Sequence, residues 1–164
     1  MKQIAVTILA LCLSAFTTSF AYAGDMRFPE QGNPAFTFHI PDDWSSHIDE
    51  SGNMILAAAD HSSAFSFSVV EYDGSLDDLA GEALNIAKAA PPPRRDVASI
   101  SGYNGYAYYS TATNDSGVQV DLKMYMLRVD AKHVVTCTRI TVPGDTQAQL
   151  DAAEAVLSSV AIAN

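Results

Sequence analysis

Cysteine is scarce in this chain: 164 residues hold two, Cys12 and Cys137. Cys12 lies in a segment that reads as a cleaved leader, which leaves Cys137 alone. A single thiol cannot close an internal disulfide, and it cannot build a cysteine-rich zinc or iron–sulfur centre. Basic side chains are few as well, 9 against 19 acidic, for a formal charge of −10. That balance disfavours nucleic acid and anionic membrane surfaces as partners. Beyond the first two dozen residues no apolar run is long enough to span a bilayer. The chain also lacks a phosphate-binding Gly-x-x-x-x-Gly-Lys loop, a Gly-x-Gly-x-x-Gly turn, a His-Glu-x-x-His helix and a Gly-x-Ser-x-Gly elbow. No motif names a reaction or a cofactor.

What is present begins with an address. Lys2 supplies one positive charge, residues 4–16 are nearly all apolar, and Ala21-Tyr22-Ala23 ends the segment with small residues at alternate positions. Charged start, apolar centre and small-x-small exit are the marks of a secretory signal peptide. Cleavage is expected after Ala23, giving a periplasmic or secreted protein. A lipid anchor on Cys12 is rejected, because Leu11 stands where lipoprotein signals require a small residue. The mature chain would hold 141 residues, with 19 acidic and 8 basic side chains and a charge of −11. That length suffices for one domain with a core of its own. Residues 24–35, with Pro29, Gly32, Asn33 and Pro34, read as an N-terminal arm, and residues 36–164 as a single domain.

The hydrophobic period then changes along the chain. Phe36, Phe38 and Ile40 alternate with polar residues as in a strand. Pro41, Asp42 and Asp43 turn the chain, Trp44 opens a second strand, and Met54 and Phe65 begin two more. Ser75 is placed to cap a helix whose stripe is Leu76, Leu79, Ala80, Ala83, Leu84 and Ala87. Strands over 97–103 and 106–113 are expected to join at Asn104-Gly105, a strong hairpin signal. Val118, Val120, Leu122, Met124 and Met126 line one face of a long strand, with Gln119, Asp121 and Lys123 outward. A β-branched strand through Cys137 follows, and Asp145 or Thr146 caps a last helix with Leu150, Ala153, Val156, Leu157 and Val160 inward. The fold class expected is α+β, a mostly antiparallel sheet flanked by helices.

The side chains that carry chemistry are mostly accounted for locally. Asp42-Asp43, Asp49-Glu50 and Asp77-Asp78 fall at turns or a helix start, where carboxylates cap backbone N–H groups. His39, His47, His61 and His133 show none of the short spacings of a zinc site, so no metal ligands and no catalytic residues are assigned. Cys137 reads as a small buried hydrophobe. Two features rise above this background. Tyr103, Tyr106, Tyr108 and Tyr109 crowd into seven residues, and strand alternation puts Tyr106 and Tyr108 on one face and Tyr109 on the other. Arg94 and Arg95 follow three prolines and read as a basic pair on a stiff loop. Arg94, Arg95, Tyr106, Tyr108 and Tyr109 are therefore the candidate partner-binding residues, since arginine and tyrosine combine contact area with hydrogen-bonding groups.

Several stretches taken in order resemble the PsbP-like superfamily. They are Phe36-Thr37-Phe38-His39-Ile40-Pro41-Asp42-Asp43-Trp44, then Ile100-Ser101-Gly102-Tyr103-Asn104-Gly105-Tyr106-Ala107-Tyr108-Tyr109, the valine-rich strand through Cys137, and the closing helix before Ser159. The resemblance spans residues 36–163. It implies an antiparallel sheet sandwiched by helices and a role in binding other proteins. Family members include extrinsic photosystem II proteins, a Ran-binding import factor and bacterial envelope proteins. The plant proteins' metal-binding and docking residues have no match here, so no photosynthetic role and no cofactor are implied. The expected function is a non-catalytic, secreted interaction module, such as an accessory, adaptor or immunity protein that binds another protein. Two alternatives stay open: a small hydrolase with a His/Asp site assembled by the fold, and a small-ligand carrier using the tyrosine-rich sheet face.

Overall fold

A computed structural model describes residues 24–92, 94–114 and 117–163. The leader assigned to residues 1–23 lies outside the described residues, as does Pro93 of the proline run. The chain forms β1 (Gly24–Phe28), β2 (Ala35–Ile40), β3 (Trp44–Ile48), β4 (Met54–Ala58), β5 (Ser63–Glu71), α1 (Leu76–Ile86), β6 (Arg94–Ile100), β7 (Tyr103–Thr113), β8 (Gln119–Arg128), β9 (His133–Thr141), α2 (Gln147–Ser159) and β10 (Ala161–Ala163). Seven strands make one antiparallel sheet in the order β3-β4-β5-β9-β8-β7-β6, and β1-β2-β10 make a second. The fold is α+β, as the periodicity and the resemblance imply.

The expected arm is in part a strand. β1 pairs along its length with β2, Met26 opposite Phe38. The turn after it is held by Arg27, whose guanidinium donates to the carbonyls of Pro29, Glu30 and Gly32. Proline and glycine mark that turn, while the preceding residues find a sheet partner that composition alone does not reveal. The turn at Pro41, where the Trp44 N–H donates to the Pro41 carbonyl, carries the chain from the small sheet to the large one.

Two cores result. On one face of the large sheet, the small sheet and α2 bury Phe36, Phe38, Ile40, Trp44, Phe65, Phe67, Leu127 and Cys137. Phe38 stacks on Phe67 with centroids 4.9 Å apart, and burial of each such ring contributes about 1.5–3 kcal/mol. On the other face, Leu79, Ala80, Ala83 and Leu84 of α1 cover Tyr108, Val120, Leu122, Met124 and Met126. Ser75 caps α1 by accepting from the Asp78 N–H. Thr146 caps α2 in a reciprocal arrangement with Gln149. α1 stops at Ile86, before the prolines, with Lys88 in the left-handed region. β8 departs from the alternating pattern read for it: Tyr125 and Leu127 are buried on its second face, because the small sheet and α2 cover that end of the strand.

The hairpin turn is corrected. β6 and β7 join at Ser101-Gly102, with Ile100 opposite Tyr103. Ser101 and Gly102 have φ of 52° and 82°, the double positive φ that a tight right-twisted hairpin requires. Asn104-Gly105 sits inside β7 instead. Gly105 is needed there for a close approach: a Cβ on it would lie 1.9 Å from the Met126 carbonyl oxygen of β8.

Candidate functional site: the arginine and tyrosine edge

Relocating the turn relocates the arginines. Arg94 and Arg95 do not stand on a loop; they open β6, the edge strand, opposite Tyr109 and Tyr108. Consecutive strand residues point to opposite faces, so the two cations form two separate sites rather than one patch.

On the α1 face, the Arg95 guanidinium lies over the Tyr106 ring, 4.2 Å from its centroid, and donates to the Asp77 carboxylate. The Tyr108 hydroxyl also donates to Asp77, at 2.9 Å. These bonds, Arg95 first, hold the Asp77 carboxyl below its ordinary range. Burial, and then the hydrogen bond to Asp77, push the Tyr108 phenol up. The cluster ties the first turn of α1 to the sheet edge, and Tyr106 and Tyr108 meet edge to face at 6.2 Å. Sequence alone places Asp77 at a helix start; its pairing across 18 residues follows from the helix packing on β7.

The other face carries a row of charge. Arg94, Tyr109, Lys123 and Arg139 stand directly opposite one another across β6, β7, β8 and β9. Arg94 pairs with Asp96 and lies 4.4 Å over the Tyr109 ring. The Lys123 ammonium lies 5.6 Å from the Tyr109 centroid and 4.9 Å from that of Tyr125. Arg139 reaches Glu154 of α2 at 3.2 Å. Desolvation, and then the Arg139 charge, lower the Lys123 pKa. Lys123 and Arg139 were not among the residues singled out from sequence. Each sits in a strand whose other residues explain themselves, and only the strand register aligns them.

The histidines do not converge. His39 pairs with Asp25 at 3.0 Å and His133 with Asp130 at 2.8 Å, the first across the small sheet and the second within a turn. Among the described residues no group of three or more His, Cys, Asp or Glu is arranged to hold a metal ion. Cys137 is buried at 2% exposure, and burial pushes its thiol up.

No protein-family model matches the chain, and no curated protein does. Solved structures match its fold. A protein from Bacteroides thetaiotaomicron superposes with a TM-score of 0.53 at 14% identity over 79% of this chain, which spans only 45% of that one. LpqN of Mycobacterium tuberculosis, involved in cell envelope biogenesis, gives 0.55 at 14% identity over 87% of this chain and 91% of its own. Cyanobacterial PsbP from Synechocystis gives 0.55 at 10% identity over 92% and 99%. At these identities the comparison speaks to architecture, and on that ground, with the two-sheet topology above, the chain has a PsbP-like fold.

Proposed function

We propose that this protein is a non-catalytic interaction module of the cell envelope, and that its partner lays an acidic, extended segment along the outer edge of β6. The observation that carries this reading is the edge itself. Among the described residues β6 pairs only with β7, and Val97 at its middle is 82% exposed. Its first two residues present a guanidinium on each face in a chain of charge −10. An added strand satisfies the open backbone groups, and carboxylates on its two faces meet Arg94 and Arg95. The Asp96 and Asp77 partners of these arginines are about half exposed, so exchanging one carboxylate for another costs little. The leader-like N-terminus and the envelope role of LpqN support the location. The His–Asp pairs stand on exposed surfaces, which lends the hydrolase alternative no support.

A photo-crosslinking residue at Val97 in protein expressed in the native envelope tests this. It should capture one discrete partner that the same probe at Ile48, exposed on the opposite edge strand, does not. Changing Arg94 and Arg95 together to Ala should then weaken the purified complex by about tenfold, more at low salt. Each histidine-to-alanine change should leave the affinity within about threefold. Equal capture at both edges, or unchanged affinity in the double variant, overturns the reading.

A further inference from the structure

The cationic row ends in a cleft of about 590 Å³ between the strands β7, β8 and β9 and the start of α2. Its floor carries Tyr109, Lys123 and Arg139, with Thr111 and Thr141 beside them, and its apolar walls are Leu150 of α2 and Pro91. We propose that this cleft binds a small organic monocarboxylate, with the carboxylate on the Lys123 ammonium and the apolar body against Leu150 and Pro91.

The charge arrangement carries the argument. Arg94 and Arg139 each have a carboxylate, Asp96 and Glu154. Lys123 has none within ion-pair distance among the described residues, only the faces of two tyrosines. It is half-buried, and its neighbour in the row, Arg139, has the same sign. Glu154 and Asp96 act on Lys123 only from beyond contact, and each is held by an arginine, so this half-buried cation lacks the direct partner that one anionic oxygen pair would supply. Asp121, directly between Thr111 and Thr141, repels any anion at that end of the cleft, so the single carboxylate belongs at the Lys123 and Arg139 end. The site therefore suits one charge on an apolar body rather than a polyanion. Arg95 and Val97 point to the opposite face and Arg94 reaches the cleft only through the Tyr109 ring, so Lys123→Met tests this site without altering the edge.

Hexanoate, hexan-1-ol and inorganic phosphate are the probes. With about eight non-hydrogen atoms, hexanoate is expected to bind in the millimolar range. Amide resonances of Thr111, Lys123 and Thr141 should move saturably with it. Hexan-1-ol, which keeps the body without the charge, and phosphate, which keeps charge without the body, should each bind about tenfold more weakly. Lys123→Met should weaken hexanoate by about tenfold. In wild-type protein, hexanoate should raise the pKa of an isotopically dimethylated Lys123, a readout that needs no variant to fold. The proposal is overturned by equal binding of hexan-1-ol or phosphate, by undiminished hexanoate binding to Lys123→Met, or by a Lys123 titration that hexanoate does not move.

Discussion

Replacing Gly105 by alanine should be among the most damaging small changes available in this protein. The new Cβ would stand 1.9 Å from the Met126 carbonyl oxygen, whereas ordinary contact begins at 3.4 Å. The β7 and β8 backbones would have to part there by about 1.5 Å, against a strand spacing of about 4.8 Å. Such a gap breaks roughly two ladder hydrogen bonds, worth about 1 kcal/mol each net, and loosens the buried side chains around them. Those neighbours include Met126 and Leu127, at 0% and 1% exposure. The total is about 3–4 kcal/mol, a large share of the roughly 5–15 kcal/mol that stabilises a domain. Gly102→Ala makes the contrast. No atom lies within 4 Å of its added Cβ, and the cost comes only from φ of +82°, about 1 kcal/mol. Urea unfolding of both variants, followed by circular dichroism, reads the difference directly. Gly105→Ala should lose at least about twice as much stability as Gly102→Ala. Equal losses, or the reverse order, would mean that the turn lies at Asn104-Gly105 after all and that the close approach does not exist.

Cys137→Ala should cost about 1–3 kcal/mol, because it removes volume from a site 2% exposed beneath the small sheet; a thiol reagent should react with native protein only as fast as the protein opens, and rapid native labelling would contradict the burial. Acid should expose the role of Asp60, whose carboxylate accepts from the Gln149 side chain at 2.8 Å and the Ser62 backbone at 3.0 Å. Those bonds, Gln149 first, lower its pKa from 3.8 to about 2. A depressed carboxylate stabilises the fold above its unfolded pKa, and that contribution disappears as pH falls from about 4 through about 2. Asp60→Asn should therefore be less stable than wild type at pH 6, with the gap in denaturation midpoint closing over that window; a gap constant from pH 6 to pH 2 would show that the charge is not what matters.

Local patterns were legible where one residue type does one job. The alternation of Phe36, Phe38 and Ile40 sets the buried face of β2, and those side chains are 0–3% exposed. Ser75 caps α1, and Leu79, Ala80, Ala83 and Leu84 form its buried stripe. Tyr106 and Tyr108 share a face, with Tyr109 opposite. What escaped was pairing between distant segments. Composition gave β1 no partner, yet β2 supplies one. Alternation sets the face that Lys123 takes, but only the alignment of β7, β8 and β9 shows which neighbours that face has. Strand period says which way a side chain points; register says what it meets.

The hairpin shows how far one misplaced turn propagates. With a turn at Asn104-Gly105, Tyr103 would oppose Tyr106, and Arg94 would fall opposite position 115, past the end of β7 at Thr113. The arginines would then be loop residues, free to act together. Asn-Gly is the stronger general signal for a two-residue turn, because both residues tolerate positive φ. Here it loses to a local demand: the β7 position beside Met126 tolerates no Cβ, so its glycine is committed to the strand. Ser101-Gly102 supplies the turn, and the register slides until Arg94 faces Tyr109 and Arg95 faces Tyr108. Ring stacking and the Asp96 and Asp77 pairs then hold the guanidiniums on opposite faces. The row from Arg94 to Arg139, and with it the position of Lys123 over the cleft, depends on the same register. Gly105 thus fixes the geometry of both proposed sites without touching either ligand.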